Sequence, residues 1–180
     1  PKSFLTKVYN FTKQFQSRID ELEELLTNNR IWKNRLKNVG IVSRTEALNM
    51  GFSGVLLRST GALWDLRKET PYEIYDKIKF KIPVGKTGDC YDRYLIRIEE
   101  MRQSVFIIQQ VLNLLPDGLV SSQTHLYKKV AVNSQTYMEE VIQHFKSSVS
   151  GFNVPAGVTY SSAETPKGEL GVLLVSDNSK

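Results

Sequence analysis

One segment constrains this chain more than any other. From Tyr91 to Leu115, the residues Tyr91, Tyr94, Leu95, Ile98, Met101, Val105, Ile108, Leu112 and Leu115 form an unbroken helical face. Phe106, Ile107, Val111 and Leu114 widen that face in its second half. A helix so apolar around its circumference is expected to be buried on most sides, with other elements packed around it. Pro116-Asp-Gly118 ends it.

The rest of the chain supplies candidates for that packing. Phe4, Val8, Phe11, Phe15, Ile19, Leu22 and Leu26 recur at helical spacing, predicting a helix over about 4–27. Ser43-Arg-Thr-Glu46 has capping-box spacing and Gly51 supplies a stop, predicting a helix over 44–50. Gly51-Phe-Ser-Gly54 and Gly61 bracket an apolar loop at Val55–Leu57. Thr70-Pro71-Tyr-Glu73 reads as another helix start, with the helix running to about residue 77. Ile78, Phe80, Ile82 and Val84 alternate with Lys79, Lys81 and Pro83, as in a half-buried strand confined to a sheet edge by the proline. Tyr137, Val141, Phe145 and Val149 align over a helix at 134–149. Two strand-like runs around Thr165-Pro-Lys-Gly168 predict a hairpin over about 157–176, and 117–132 reads as a linker. The expected fold is mainly α with small β elements, a single incomplete domain over 1–180.

Composition excludes several functions. Cys90 is the only cysteine, so the chain has no internal disulfide and no Cys-x-x-Cys for zinc or an iron–sulfur cluster. A small buried residue near a helix start is the preferred reading of Cys90. His125 and His144 lack the paired spacing of metal ligands and read as solvated or structural. No apolar run approaches the ~18 residues needed to cross a bilayer. The net charge is +5, but acidic and basic residues are interspersed, which favours a mixed solvated surface over a nucleic-acid stripe. The aromatic residues at helical spacing read as core rather than as base-stacking platforms. Asp89, Asp92, Arg93, Arg97, Glu99, Glu100 and Arg102 crowd one helix start. Capping and i,i+4 pairing account for them, and a buried ion-pair network over Asp89, Asp92, Arg93, Arg97, Glu100 and Arg102 is the sharper expectation.

Several segments together resemble a known family. They are Thr27-Asn-Asn-Arg-Ile-Trp32, Gly51-Phe-Ser-Gly-Val-Leu-Leu-Arg58, Trp64-Asp-Leu-Arg-Lys68 with Pro71-Tyr72, and Gly88-Asp-Cys-Tyr-Asp-Arg-Tyr94 running through Arg97 to Ser104. Gln143-His-Phe-Lys146, Pro155, Pro166-Lys-Gly-Glu169 and Leu174-Val-Ser-Asp177 follow in the same order. This set resembles the quinone-site core subunit, the 49 kDa subunit, of respiratory complex I. Ser59, Thr87 and Thr165 depart from the family pattern, which usually has Gly, Arg and Ala there. The family's Gly-Pro-Gln-His-Pro motif, which helps hold the quinone headgroup, is absent, so the chain is expected to correspond to less than half of such a subunit.

The resemblance implies a part of a hydrogenase-large-subunit-like helical bundle with a peripheral hairpin. It implies a scaffold for quinone reduction in a proton-pumping enzyme, with no catalytic or metal-binding residue of its own. It places the turn Glu164, Lys167, Gly168 and Glu169 near the quinone cavity, where the residues alone would read as a solvated hairpin turn. NADH, FMN, iron–sulfur clusters and ubiquinone would belong to the complex, none bound by this chain. Its partners would be other complex I subunits, above all the small subunit with the terminal cluster and the missing half of the 49 kDa subunit. Membrane contact would come only through partners, without nucleic acid. The expected location is the matrix side of the mitochondrial inner membrane, or the cytoplasmic face of a bacterial membrane. The rival reading is a basic helical interaction module, as in a ribonucleoprotein.

Overall fold

The computed structural model describes residues 2–116, 118, 138–151 and 154–179. Their elements are α1 (Lys2–Leu26), α2 (Arg30–Leu36), α3 (Arg44–Asn49), α4 (Gly54–Ser59), α5 (Leu66–Glu69), α6 (Cys90–Leu114), α7 (Met138–Ser150), β1 (Gly157–Thr165) and β2 (Gly168–Ser176). The two strands pair in one small sheet. The chain is therefore mainly α with a small β element. It divides into two compact units, residues 1–115 with 162–171, and residues 116–161 with 172–180.

In the first unit α6 is the spine, and α1, α2 and α4 pack against it. Asp89 caps α6 by accepting the Asp92 N–H at 2.7 Å. On α1 the inward line has Thr12 and Ile19 buried and Val8, Phe15 and Leu26 half-buried, and does not run through the whole expected stripe. Phe4, Phe11 and Leu22 lie on the neighbouring strip of the helix and are exposed. Thr12 is fully buried because its hydroxyl donates to the Tyr9 carbonyl at 2.8 Å, which satisfies the polar atom within the helix. α6 is buried on fewer sides than its composition predicts. Ile96, Ile98, Val105 and Ile107 are inside, whereas Phe106, Ile108 and Leu114 face outward.

Three local expectations are corrected. The residues predicted to form a helix over 71–77 form successive turns, with Tyr75 N–H on Tyr72 O at 3.2 Å and Lys77 N–H on Ile74 O at 3.0 Å. Glu73 takes φ +54°, a left-handed conformation that no continuous right-handed helix admits. Residues 78–84 keep the expected alternation, with Ile78 and Phe80 buried and Lys79 and Lys81 exposed, yet have no sheet neighbour among the described residues. The helix α6 takes that place. Lys79 N–H donates to the Gln110 side chain and Lys81 N–H to the Gln103 side chain, both at 3.0 Å, and Gln110 Nε2 donates back to the Lys79 carbonyl at 2.7 Å. Ile78, Phe80 and Ile107 then close a small core with Ile74, Tyr75, Ile82 and Val111.

The apolar run Val55–Leu57 is also helical rather than a loop, as part of α4. Leu57 packs with Ala47 of α3 and Ala62, flanked by Val42 and Phe52. In the second unit, α7 carries Val141, Ile142, Phe145 and Val149 on exposed positions. The open end of the hairpin is likewise apolar and exposed at Val158, Tyr160 and Val172–Val175. His125, most of the linker 117–132, and residues 134–137 of the helix expected over 134–149 lie outside the described residues, as does the side chain of His144.

Candidate functional site

The first unit buries an arginine. α4 begins at Gly54 and sends Val55 and Leu57 into apolar contacts. Arg58, three and four residues after Val55 and Gly54, turns inward on the same short helix, and its side chain is only 2% exposed. Its Nη2 donates to Glu100 Oε1 of α6 at 2.7 Å. Its Nη1 donates to Glu164 Oε1 of β1 at 2.8 Å and to the Trp64 carbonyl at 3.1 Å. Asp65 Oδ2 stands 3.8 Å from the same Nη1. Asp65 is held in turn by Arg67, whose Nε and Nη2 meet the two carboxylate oxygens at 2.9 and 2.6 Å. This is the bidentate fork geometry that arginine suits and lysine does not. Asp65 also caps α5 by accepting the Arg67 N–H at 3.0 Å, and the Arg67 guanidinium lies 4.8 Å from the centre of the Phe80 ring.

Counting charges, three carboxylates (Asp65, Glu100, Glu164) face two guanidinium groups (Arg58, Arg67). Taking ions out of water is costly unless geometry and hydrogen bonds compensate. Here each carboxylate has a charged donor within 2.8 Å, and the cluster ties α4, α5, α6 and β1 together. Burial, the largest influence, raises the Glu100 pKa, and this outweighs the attraction of Arg58 and Arg67.

Above the cluster sits the turn that closes the β1–β2 hairpin. Thr165 donates its hydroxyl to the Gly168 carbonyl at 2.6 Å, which fastens the turn on itself. Glu164 N–H donates to the Tyr72 hydroxyl at 3.2 Å, and Glu169 N–H to Ser53 Oγ at 2.9 Å. Burial, the largest influence, raises the Tyr72 pKa, so the phenol stays protonated. The backbones meet where Gly54 approaches Gly168. A Cβ on Gly54 would stand 2.5 Å from the Gly168 Cα, and both glycines have positive φ, +63° and +140°. Only two residues without side chains allow that approach.

The four turn residues expected near a cavity therefore divide. Glu164 is inside the cluster, with its side chain 4% exposed. Gly168 is buried in the backbone contact, and Lys167 and Glu169 face outward. The residues expected to form one ion-pair network also separate. Asp89 accepts the backbone N–H groups of Asp92 and, at 2.9 Å, Asn38. Asp92 accepts from Lys86 N–H, Thr87 N–H and the Thr87 hydroxyl. Burial alone would raise the Asp92 pKa, but these bonds together bring it below its ordinary value. Arg93 donates to the carbonyls of Gly40 and Gly88. Arg97 is exposed, Glu100 belongs to Arg58, and Arg102 bridges to Asp20 and Glu23 of α1. Cys90 is half-buried, with its Sγ 3.5 Å from the Arg93 guanidinium. Among the described residues no group of three His, Cys, Asp or Glu could hold a metal, and no helix is long and apolar enough to cross a membrane.

Sequence reasoning missed Arg58, Asp65, Arg67, Tyr72 and Ser53 as site residues. A signal for the first was present: an arginine closing the apolar run Val55–Leu57 has few solvated places to go.

Comparison with known proteins places this geometry in context. Residues 1–180 match the family described as respiratory-chain NADH dehydrogenase, 49 Kd subunit. The chain is 57% identical over 180 residues to the NADH-ubiquinone oxidoreductase 49 kDa subunit of Cafeteria roenbergensis, covering 99% of this chain and 45% of that protein. It is 53% identical over 183 residues to the NADH-ubiquinone oxidoreductase 49 kDa subunit of Reclinomonas americana, covering 99% and 46%. It is 51% identical over 180 residues to the NADH dehydrogenase [ubiquinone] iron-sulfur protein 2 of Arabidopsis thaliana, covering 99% and 46%. The chain thus spans less than half the length of these relatives. A match along its whole length, at such identities, means that the chain belongs to the 49 kDa subunit family of the respiratory-chain NADH dehydrogenase.

Proposed function

We propose that this chain is a core segment of a proton-pumping NADH:quinone oxidoreductase, scaffolding the quinone-reduction cavity beside the terminal iron–sulfur cluster. One observation carries the local part of the reading. A solvent-facing turn, with Lys167 at its tip, is fixed from below by a buried ion cluster and from the side by a backbone-to-backbone contact. A free hairpin turn requires no such support, whereas a surface that must hold a fixed position against a ligand does. Lys167, Glu169 and the turn backbone form the part nearest the quinone in this reading, and Glu164 holds them from inside.

The chemistry of electron transfer lies elsewhere in the assembly. One cysteine cannot supply the four thiolates of a cluster, so this segment holds none by itself; in this reading flavin and clusters belong to other subunits. The helices around α6 would be one part of a hydrogenase-large-subunit-like bundle, completed by the remainder of the 49 kDa polypeptide. The partner at the cavity is the small subunit carrying the terminal cluster. The complex sits on the matrix side of the mitochondrial inner membrane, and this chain meets the membrane only through partners.

The test is an affinity purification of the tagged chain from mild-detergent membranes, with peptide identification and an NADH:quinone activity assay. Co-purification with inhibitor-sensitive quinone reduction and with a polypeptide carrying Gly-Pro-Gln-His-Pro is the expected result. Recovery with RNA or unrelated proteins, without that activity, would overturn the proposal in favour of an interaction module.

A further inference from the structure

We infer that Arg58 is a positioning residue for quinone reduction, acting through the Glu164–Glu169 turn without touching quinone; this rests on the location proposed for that turn. With its side chain 2% exposed, the guanidinium cannot itself meet a ligand arriving from outside the first unit. Its influence runs through Glu164, the one turn residue inside the cluster, at 2.8 Å. Two further attachments of the turn are single bonds to neutral hydroxyls, those of Tyr72 and Ser53, and bonds to a charged partner are stronger.

The geometry also explains how a shift would be transmitted. α4 and its cap residue Ser53 carry two of the holds on the turn. At its start Gly54 abuts Gly168, with Ser53 bonded to Glu169; one turn later Arg58 grips Glu164. No side chain lies between Gly54 and Gly168 to absorb a displacement, so α4 and the tip at Lys167 move as one piece. Arg58 must also serve two carboxylates on different elements from two nitrogens of one planar group, Glu100 through Nη2 and Glu164 through Nη1. Lysine would keep the charge but gathers its donors on one nitrogen at the end of an unforked stem, so it cannot reproduce the two-nitrogen spacing that these two bonds use. Charge neutralisation and positioning are therefore separable by one substitution.

The experiment is made on the assembled complex in membranes, with a short-chain ubiquinone as the variable substrate. NADH oxidation by ferricyanide serves as a readout of assembly that does not use the quinone site. Arg58→Lys is expected to leave ferricyanide reduction within about twofold. It should raise the KM for quinone roughly 10-fold, with a smaller change in kcat, because a small misplacement of a binding surface is costly. Glu164→Gln, which keeps a weaker bond to Arg58, should move KM in the same direction by less. Lys167→Met tests the location of the turn separately. If Lys167→Met raises KM while Arg58→Lys and Glu164→Gln do not, the turn meets quinone and the inference about Arg58 is overturned. If Lys167→Met is silent, the location itself fails, and the inference fails with it whatever Arg58→Lys does. Where Arg58→Lys does not assemble, Glu164→Gln decides: it weakens the bond to Arg58 and leaves Arg58 in place, and a raised KM supports positioning through that bond while an unchanged one overturns it.

Discussion

At the scale of single residues, Arg58 is the position on which most depends. Removing one partner of a buried ion pair leaves the others charged in a medium that solvates them poorly, and typically costs about 3–5 kcal/mol. Arg58→Met would leave Glu100 and Glu164 without their closest cation. The expected outcome is a loss of that order in the opening free energy of the amides at 162–171, measured by hydrogen exchange within the assembled complex. Unchanged protection there would mean that Tyr72 and Ser53 suffice to hold the turn. Gly54→Ala acts on the same contact from the backbone. Its left-handed φ costs a side-chain-bearing residue about 1–2 kcal/mol, and the Cβ would in addition strike Gly168. The family motif around Gly51–Arg58 was visible in the sequence, but that Gly54 and Gly168 touch was not. They are far apart along the chain, and a glycine carries no side chain to announce a contact.

Among the elements, the long ones were legible, and of the short ones α3 alone was, through the capping box at Ser43–Glu46. α1 and α6 each run 25 residues, so periodicity accumulates over several turns. α2, α4 and α5 have 7, 6 and 4 residues, fewer than the two turns in which a face can be recognised. Caps stabilise two of them instead: Asn29 accepts from Ile31 and Trp32, and Asp65 from Arg67. The segment 78–84 was read correctly in its alternation and wrongly in its partner. Nothing local distinguishes a strand facing another strand from one facing glutamines on a helix. Gln110→Ala should therefore deprotect the Lys79 amide and cost about 1–2 kcal/mol, since it removes bonds to both Lys79 backbone groups. Full retention of Lys79 protection would show that Ile78 and Phe80 hold the segment alone. Two carboxylates of α6 respond oppositely to pH. Asp92, at its start, has a lowered folded pKa, so its stabilisation is present above the ordinary carboxylate range and is lost as pH falls through the folded value. Glu100, further along, has a raised folded pKa. It faces Arg58 from α4, Asp65 and Arg67 around the start of α5, and Glu164 from β1. Its folded form binds a proton more readily than its unfolded form, so stability falls as pH rises from about 4.5 through the folded value. Glu100→Gln should flatten that part of the pH profile and leave the acid limb governed by Asp92 in place.

For the molecule as a whole, the exposed apolar surface is the dominant fact. Within the first unit, Phe4, Phe11, Leu22 and Leu25 line one strip of α1, outside the line that meets α6. Within the second, Val141, Ile142, Phe145 and Val149 of α7 and Val172–Val175 of β2 are exposed as well. Contiguous apolar patches of this kind mark surfaces that meet other protein. The apolar cores among the described residues, by contrast, are small clusters around Leu57 and Phe80. Core and surface together lead to a definite expectation for the purified chain. It should bind a hydrophobic dye, lose heat-induced structure over a broad range, and gain a sharp transition only within the assembled complex, because burial rather than helix propensity supplies most helical stability. A single cooperative thermal transition of the chain alone, without dye binding, would show that the two small cores suffice. The exposed strips on α1 and α7 would then be surfaces used after folding rather than surfaces required for it.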